Sequence, residues 1–461
     1  MKILICGAGE VGKAIAKYLA LQDDDITLID EDEKAFGGIR DAADIRTVTG
    51  SANHPSVLEE ARAADADIII AVTGIDETNI MICEIAHVMF KVPVKICRIR
   101  TKEYMDPRII EFYKSVKVID HIISPELQIA RAIMRNIAVP GTFETVPVAE
   151  GKLTVLGIKC QEGSPVVHTK IKQILELFPT LQMTITGIVR GVRTIPVNPD
   201  QYIEAGDSVY AVVKTADIPR ALNAFGIDEK ETGRIAIFGG GKIAEILAGM
   251  IVESQNVNDV KLIEKDHERA TELAVAFEDK NIEVISGDIL NPDLLDEIGI
   301  KNMDMSISIT NEDENNILSA LLAKKICRND IQTVSVINKQ IYSSLVSNLG
   351  VDVIIDPNAI TVSTILQHVR RGSVSSAYSL SSEFFELLEI EVLETSKIAG
   401  QSLADLKFPK STVIGAVLRD GESIDIKRDM TMENGDVLIV FISSTDIKSL
   451  EKMIAVSIEY F

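Results

Sequence analysis

Tryptophan is absent from this chain of 461 residues, and aromatic residues make up only 5% of it. Its cores must therefore be built mainly from Ile, Val, Leu and Ala, which is typical of parallel sheets covered by helices. Basic residues are in the minority, with 47 Lys and Arg against 69 Asp and Glu, so the net charge is −22. Nucleic acid and anionic lipid repel such a chain. We expect no nucleic-acid partner, and any role at a membrane requires docking on another protein.

Long hydrophobic runs are also missing. The run Ile68-Ile69-Ile70-Ala71-Val72 is far shorter than the roughly 18 residues that cross a bilayer. The N-terminus enters a strand and a glycine loop without a signal-peptide pattern, so we predict a cytoplasmic location. The cysteines form no Cys-x-x-Cys pair, which favours buried, reduced thiols.

Several motifs occur twice, in the same order. The strand and loop Ile3-Leu4-Ile5-Cys6-Gly7-Ala8-Gly9 return as Ile235-Ala236-Ile237-Phe238-Gly239-Gly240-Gly241. The motif Ile119-Asp120-His121-Ile122-Ile123-Ser124-Pro125 returns as Val351-Asp352-Val353-Ile354-Ile355-Asp356-Pro357, and Gly206-Asp207 returns as Gly435-Asp436. Two copies in one order indicate a duplicated unit of two domains.

Each copy begins with alternating strand and helix patterns, which predict a doubly wound parallel sheet. Each copy ends with short β segments around one short helix. We therefore predict an α/β fold with two tandem Rossmann-type parallel-sheet domains, each followed by a small α+β domain. The predicted strands of the first sheet are residues 2–6, 26–30, 45–49, 67–72, 94–98 and 117–120. The predicted domains are residues 1–139, 140–228, 233–370 and 380–461, with a linker at 370–382.

An apolar helix pattern follows Pro125 in the first copy and Pro357 in the second. Proline suits a first helical turn, and the spacing of the apolar residues marks one stripe on each helix. Each helix can pack on its own small domain or on another subunit, or its stripe can cover the core of its own Rossmann-type domain. The sequence leaves these possibilities open.

A glycine loop, Gly7-Ala8-Gly9-Glu10-Val11-Gly12, follows the first strand. This spacing allows a tight turn, a close approach of a pyrophosphate to the backbone and close packing of helix on strand. Asp30 ends the second strand, where an acid accepts hydrogen bonds from ribose hydroxyls and disfavours the 2′-phosphate of NADP. We predict NAD(H) binding here; the alternative is a glycine-rich turn without a ligand.

The second copy carries a weaker form of the loop, Gly239-Gly240-Gly241-Lys242-Ile243-Ala244, with Glu264 in the ribose position. Alanine is accepted in the third glycine position, but a duplicated site can lose its ligand and keep its fold. Thr73-Gly74 and Thr310-Asn311 follow the fourth strand of each copy. They are expected to face the same crevice as the loops, at the carboxyl ends of the strands.

Charged residues also follow these strands. Asp76-Glu77 and Asp313-Glu314 begin helices, where acids favour the helix dipole. A hard metal ion needs more converging oxygens, so we predict no metal site. Arg98 and Arg100 end the fifth strand and are placed to reach a phosphate or an acid of a neighbouring subunit. The second copy has Val336-Ile337-Asn338 instead, so the two copies are candidates for different nucleotides.

Catalytic groups are not recognisable. A dehydrogenase needs a proton donor or acceptor beside the nicotinamide, yet none of the six histidines recurs at equivalent places. Tyr113 and Lys117 have the spacing of short-chain dehydrogenases, but the second copy has Leu345 and Leu349 there, which favours a packing or surface role over a catalytic pair. We predict a ligand-binding regulator and not an enzyme. An NAD-dependent oxidoreductase is the alternative, and an assembly module with relic pockets is a third reading.

Together the motifs resemble the TrkA-type regulators of bacterial and archaeal potassium uptake, which carry two RCK (or KTN) domains, each followed by an RCK-C domain. The resemblance covers nearly the whole chain. It rests on the first glycine loop and on four further motifs, Ser51-Ala52-Asn53-His54-Pro55-Ser56-Val57-Leu58, Thr73-Gly74-Ile75-Asp76-Glu77-Thr78-Asn79, Arg98-Ile99-Arg100 and Asp120-His121-Ile122-Ile123-Ser124-Pro125-Glu126.

The resemblance implies a regulatory subunit at the inner face of the cell membrane that gates a Trk-type potassium-translocating membrane subunit. It implies NAD(H) and ATP or ADP as ligands, and a homo-oligomer that we expect to be a tetramer. Many relatives have Gly-Asp after the third strand; Gly287-Asp288 keeps it, whereas Gly50-Ser51 does not. The contacts with the cofactor carry over to Gly7, Ala8, Gly9, Glu10, Val11, Gly12, Asp30, Thr73, Gly74, Arg98, Gly239, Gly240, Gly241, Lys242, Ile243, Glu264, Asp288 and Thr310.

Overall fold

Two six-stranded parallel sheets alternate along the chain with two five-stranded antiparallel sheets in the computed structural model. This confirms the predicted α/β fold of two tandem Rossmann-type domains, each followed by a small domain. The structure describes residues 1–20, 24–39, 45–178, 180–191, 193–228, 232–254, 257–369, 374–380, 385–427, 429–443 and 445–454. The domain ends predicted at residues 370 and 461 lie outside the described residues. Among the described residues, no helix has the length and apolar character needed to cross a bilayer.

The first Rossmann-type sheet is built from β1 (Lys2–Cys6), α1 (Glu10–Ala20), β2 (Asp25–Asp30), β3 (Ile45–Thr49), α2 (Pro55–Glu60), β4 (Ile68–Ala71), α3 (Asp76–Val88), β5 (Val94–Arg98), α4 (Pro107–Ser115) and β6 (His121–Ile123), and α5 (Pro125–Ala138) follows it. The strand order is β3-β2-β1-β4-β5-β6. The order reverses between β1 and β4, which is where ligands bind in open α/β sheets. The sixth strand predicted at 117–120 is wrong, because Lys117 has a φ of 56° that interrupts an extended chain.

The first antiparallel domain contains β7 (Glu144–Val148), β8 (Leu153–Lys159), α6 (Ile171–Leu177), β9 (Met183–Arg190), β10 (Arg193–Ile195), β11 (Ser208–Lys214) and α7 (Ile218–Ala224). It has two helices where the sequence predicted one. The Gly-Asp motif is a turn before β11, as predicted. The Asp207 carboxylate is fully buried there and pairs with Arg190 Nε at 2.8 Å.

The second Rossmann-type sheet repeats the first, with strand order β14-β13-β12-β15-β16-β17. Its elements are β12 (Arg234–Phe238), α8 (Lys242–Ser254), β13 (Asp259–Glu264), α9 (His267–Ala276), β14 (Ile282–Ser286), α10 (Pro292–Glu297), β15 (Met305–Ser308), α11 (Asp313–Ile326), β16 (Gln332–Val336), α12 (Gln340–Leu349), β17 (Val353–Ile355) and α13 (Pro357–Val369).

The second antiparallel domain contains β18 (Val374–Ser379), β19 (Phe385–Glu391), β20 (Val413–Arg419), β21 (Glu422–Ile424), β22 (Val437–Ser443) and α14 (Ile447–Ile454). The linker predicted at 370–382 is wrong in part, because β18 lies within it and pairs antiparallel with β19. Residues 370–373 and 381–382 of that prediction lie outside the described residues. The second Gly-Asp motif repeats the first, with Asp436 almost fully buried and paired with Arg419 at 2.9 Å.

The helix α13 completes the core of the first Rossmann-type sheet, although it follows the second sheet in sequence. The chain forms two compact units, and the first combines Met1–Gln128 with a stretch that begins at Asn358. Within that unit, Ile365 and Leu366 of α13 are buried against a cluster that includes Ile3 and Ile15. The apolar stripe of α13 therefore covers a core, so it is not free to pair with another subunit.

The second unit begins within α5, at Ile129, and contains both antiparallel domains. The buried residues of α5, Ile129, Ala130 and Ile133, lie in this unit, so its stripe is also covered within the chain. The two antiparallel sheets share one core in which Tyr210 contacts Phe385 and Phe441. The face of each antiparallel sheet that lies outside this shared core is covered by helices of the same domain. These are α6 and α7 in the first small domain and α14 in the second.

Candidate functional site

The first glycine loop connects β1 to α1 at the point where the strand order reverses. Gly7 has a φ of 111°, and its N–H donates to the Ile29 carbonyl at 2.8 Å. A Cβ on Gly12 would lie 1.8 Å from the Gly7 carbonyl oxygen, so only glycine fits there. Gly9, by contrast, would meet nothing within 4 Å. The loop therefore has no room for a side chain at Gly12, where helix packs on strand. It has free space at Gly9, where we predict the pyrophosphate.

Asp30 lies beside this loop, as the sequence predicted. One carboxylate oxygen of Asp30 accepts from the Ala8 N–H at 2.6 Å, and the other accepts from the Asp32 N–H at 2.9 Å. The carboxylate therefore fixes the loop before any ligand binds. Glu10 and Val11 begin α1, and the Glu10 carboxylate is exposed, 3.6 Å from Lys13 Nζ.

Asn79 joins the ends of β4 and β5, and sequence reasoning missed it. Its Oδ1 accepts from the N–H and the hydroxyl of Thr73 at 2.9 and 2.7 Å. Its Nδ2 donates to the carbonyl oxygens of Thr73, at 3.3 Å, and Arg98, at 3.0 Å. Thr73 in turn lies against the loop, because a Cβ on Gly7 would be 3.0 Å from the Thr73 nitrogen. One buried amide thus places the loop, Thr73-Gly74 and Arg98 around a single crevice.

The second copy repeats this network. Asn316 accepts from the Thr310 N–H at 2.8 Å and donates to the Thr310 and Val336 carbonyl oxygens at 3.0 and 2.8 Å. The signal was present in the sequence, since Asp-Glu-x-Asn occurs at the same place in both copies. An amide recurring in the first helical turn after a strand was the feature to notice.

The acids that begin α3 and α11, Asp76 and Asp313, hold backbone N–H groups of a neighbouring segment. Asp76 accepts from the backbone N–H groups of Arg100 and Thr101 at 2.8–3.1 Å, and Asp313 accepts from those of Asn338 and Lys339 at 2.9 and 2.8 Å. Both carboxylates are largely buried. Each ties the start of its helix to the segment after the fifth strand. No group of three or more metal-ligating side chains occurs in the part of the chain that the structure describes.

Arg98 is the unusual cation of this crevice. Its Nε is buried and has no hydrogen-bond partner among the described residues. Burial lowers the pKa of Arg98, and the positive charge of the neighbouring Arg100 lowers it further. Arg100 pairs with Glu126 at 3.0 Å, and the second carboxylate oxygen of Glu126 is buried without a partner. A buried guanidinium with an unused donor gains from a nearby anion.

The second glycine loop repeats the turn of the first at Gly239, but its side-chain contacts differ. Gly239 has a φ of 103°, and the Gly240 N–H donates to Glu264 at 2.5 Å. Lys242 begins α8, where it is followed by Ile243 and by Ala244, whose methyl is fully buried. Asp288, predicted on the adenine side, pairs with Lys265 at 3.0 Å and accepts from the Leu290 N–H. That backbone hydrogen bond and the Lys265 ammonium lower the pKa of Asp288.

Tyr113 is part of the hydrophobic core and not of the hydrogen-bond network around Asn79. It packs against the core cluster that contains Ile82 and Cys97, and burial raises the pKa of its phenol. Lys117 lies beyond the end of α4, in a left-handed conformation. These positions agree with a packing role for Tyr113 and a surface position for Lys117.

Two Rossmann-type sheets, each with a glycine loop where the strand order reverses and each followed by an antiparallel domain, define a protein with two dinucleotide-fold domains in tandem. Family models agree with this division. The TrkA-N domain model matches residues 3–125 and 235–357, and the TrkA-C domain model matches residues 155–226 and 387–455. The chain belongs to the TrkA family.

Curated relatives match over their full length. The Trk system potassium uptake protein TrkA of Azorhizobium caulinodans is 36% identical over 466 residues, covering 100% of both chains. The protein of the same name from Vibrio alginolyticus is 36% identical over 446 residues, covering 96% of each chain. These relatives are named for potassium uptake and not for an enzymatic reaction.

Solved structures share the fold at low identity. A structure described as the GsuK channel bound to NAD is 16% identical, with a TM-score of 0.61, and the match covers 98% of this chain and 78% of that one. The crystal structure of the GsuK RCK domain has a TM-score of 0.60 at 16% identity, covering 98% and 94%.

Proposed function

We propose that this chain is the cytoplasmic regulatory subunit of a Trk potassium-uptake system, peripheral at the inner face of the membrane. It gates a potassium-translocating membrane subunit in response to NAD(H) and to ATP or ADP. The observation that carries the proposal is the first glycine loop, which is open at Gly9 and lies between the Asp30 carboxylate and the unpartnered Arg98. The full-length similarity to potassium uptake proteins supports the partner.

The site suits binding better than catalysis. A pyrophosphate over Gly9 would face the N-terminus of α1, a ribose would meet Asp30, and an anionic group would give Arg98 its missing partner. These groups belong to three different strand ends, and Asn79 connects one of them, at Arg98, to Thr73 after β4. A ligand that contacts all of them stabilises one arrangement over another by its difference in affinity, and no bond has to break. An oxidoreductase would need an acid–base group in addition.

We expect Gly9→Asp to abolish NAD binding by the first loop without unfolding it. A side chain at Gly9 meets no protein atom within 4 Å, but an aspartate there places a negative charge where the pyrophosphate is proposed. Calorimetry should show affinity reduced by about 100-fold or more, which corresponds to about 2.7 kcal/mol. Potassium uptake by cells that depend on this chain should lose its response to nucleotide. The more direct choice, Asp30→Ala, would also release the Ala8 and Asp32 N–H groups, so it does not isolate the ligand.

Gly249→Asp is the matched control. Gly249 lies on α8, and a side chain there also meets nothing within 4 Å. This control should bind NAD as the unchanged protein does. Equal affinity of Gly9→Asp and Gly249→Asp would contradict the assignment of the pyrophosphate to the first loop.

The tetramer is proposed to form through exposed apolar side chains on corresponding helices of the two copies. Met81 on α3 and Phe112 on α4 are 46% and 58% exposed, and Leu318 on α11 and Ile341 on α12 are 52% and 80% exposed. Exposed apolar side chains of this size mark a candidate interaction surface on each copy. Because both copies present it, one chain can contact further chains on two faces, which suits a closed assembly of identical chains.

Met81→Asp combined with Phe112→Asp should reduce the mass in solution from that of a tetramer, as measured by light scattering. Both side chains are exposed, so the circular dichroism spectrum and NAD affinity should stay unchanged. Glu111→Gln, an exposed change on α4, is the control. A double variant that keeps the mass of the unchanged protein would exclude this surface.

A further inference from the structure

Ile75 and Glu312 occupy the same place in the two copies, immediately before α3 and α11. Their backbones agree closely, with φ and ψ of −125° and 119° at Ile75 and of −114° and 113° at Glu312. Each backbone N–H donates to the hydroxyl of the threonine two residues earlier, at 3.4 Å for Thr73 and 3.2 Å for Thr310. Both side chains are exposed. The two copies therefore present an isoleucine and a glutamate from one backbone position.

This position lies on the side of the crevice that is opposite the ribose acid. In the first sheet, β1 and its glycine loop lie between β2, which ends at Asp30, and β4, which precedes Ile75. The second sheet has the same strand order. A dinucleotide spans such a crevice with its adenosine ribose at the acid and its pyrophosphate over the loop. The nicotinamide half then lies at the ends of the fourth and fifth strands, beside Ile75 or Glu312.

The ends of the fifth strands differ in charge as well. Asn79 donates to the Arg98 carbonyl oxygen and Asn316 donates to that of Val336, so Arg98 and Val336 are equivalent. Arg98 has a buried Nε without a partner in the described part of the chain, whereas Val336 is an almost fully buried apolar side chain. The first copy thus has an apolar side chain and a cation where the second has a carboxylate and an apolar side chain.

Other charged side chains beside the crevices distinguish the copies less. Glu77 recurs as Glu314, and each accepts from a tyrosine hydroxyl. The Glu312 carboxylate accepts from the neutral Asn315 amide at 2.7 Å, which leaves its charge in place. Ion pairs at 2.8–3.6 Å join Arg100 to Glu126 and Glu10 to Lys13 in the first copy, and Lys339 to Glu314 and Lys242 to Glu245 in the second.

The two redox forms of the cofactor differ in charge at the ring that would lie here. The pyridinium ring of NAD⁺ is positively charged, and the dihydropyridine ring of NADH is neutral. A carboxylate such as Glu312 attracts the pyridinium, and a guanidinium such as Arg98 repels it. An isoleucine favours the neutral ring, because contact with it does not remove water from a charge. One unit of charge near a partly exposed site changes affinity by about 10-fold.

We propose that Ile75 and Glu312 determine which redox form of the cofactor each copy prefers, so that the first copy selects NADH and the second favours NAD⁺. One chain then compares the two forms of a single cofactor. This inference rests on the proposed nucleotide binding and extends it to both loops.

Blocking one loop at a time separates the two sites. A side chain at Gly9 or at Gly241 meets no protein atom within 4 Å, so an aspartate at either place opposes the pyrophosphate of one copy. Gly241→Asp leaves the first copy, and Gly9→Asp leaves the second. Each full-length variant is titrated calorimetrically with NADH and with NAD⁺. The preference for NADH over NAD⁺ should be about 10-fold greater in the first copy than in the second. Thermal unfolding checks the fold of each variant.

Exchanging the side chains assigns this difference. In the Gly241→Asp background, Ile75→Glu should shift the preference towards NAD⁺ by about 10-fold, and the uncharged Ile75→Gln should shift it less. In the Gly9→Asp background, Glu312→Ile should shift the preference towards NADH. Val88→Glu is the matched control, because it adds the same charge at an exposed apolar position at the far end of α3. That position is about 20 Å away along the helix, so the preference should not change.

Equal preferences in the two copies would overturn the redox selectivity while leaving NAD(H) binding, and so the proposed function, intact. A preference that does not respond to the exchanges would also overturn it. If an aspartate variant does not fold, the same exchanges in the unchanged chain should shift one of its two sites in the stated direction. Binding of neither form by the unchanged protein would instead overturn the proposed nucleotide binding, and the selectivity with it.

Discussion

Ile365→Asp is expected to unfold the first Rossmann-type unit, although the residue lies in the second half of the sequence. Ile365 is fully buried in the cluster that contains Ile3, Ile5 and Ile15. Removing a buried isoleucine costs about 2–5 kcal/mol, and an unpaired carboxylate in its place adds several kcal/mol. The sum is comparable with the whole stability of a domain, about 5–15 kcal/mol. Hydrogen exchange should show protection lost from β1 and α1.

Gln367→Glu provides the control on the same helix, because Gln367 is only partly buried and lies outside that core cluster. Its exchange pattern should match that of the unchanged protein. If β1 and α1 keep their protection in Ile365→Asp, α13 does not complete the core of the first unit. The same reasoning predicts that residues 1–232, produced alone, would lack a covering helix for this face of the sheet.

Acid should weaken the attachment of α13 through a pair of stacked histidines. The rings of His121 on β6 and His368 on α13 lie 3.9 Å apart at an interplanar angle of 15°. Burial, then His121 and Lys114, lower the pKa of His368 from 6.5 to about 4. Burial also lowers the pKa of His121, with Lys114 acting in the same direction and Asp120 opposing it. Asp120 is itself paired with Lys95 at 2.7 Å.

The direction of the pH dependence follows from these shifts. Both histidines bind protons less readily in the folded unit than in the unfolded chain, where they take up protons below about pH 6.5. The folded unit is therefore fully stabilised above pH 6.5 and loses stability as the pH falls from 6.5 towards 4. With half-buried rings partly screened by solvent, the loss is on the order of 1–2 kcal/mol. Denaturant unfolding at several pH values measures it.

The double variant His121→Phe, His368→Phe separates the histidines from other acid-sensitive groups. Phenylalanine rings keep an aromatic contact but do not titrate. The loss of stability between pH 6.5 and 4 should become smaller in this variant by the amount assigned to the pair. An unchanged pH profile would show that other groups account for the acid sensitivity.

Local patterns in the sequence were sufficient to predict most of the fold. Alternating strands and helices predicted the two parallel sheets, and the repeat predicted their duplication, since both signals depend on residues close together in the chain. The linker predicted at 370–382 failed because β18 is defined by its pairing with β19, which no local composition reveals. Asn79 and Asn316 were missed because their role is to join separate strand ends.

The sequence by itself determined the two glycine loops, the acids Asp30 and Glu264 that end the second strand of each sheet, and the family. Glycine spacing and strand ends are local features, and their chemistry follows directly from residue type. Only the tertiary structure decided that α13 belongs to the first unit and that His121 meets His368. These contacts are set by which apolar faces bury each other and by which side chains then converge, and neither can be read from residues that are neighbours in the chain.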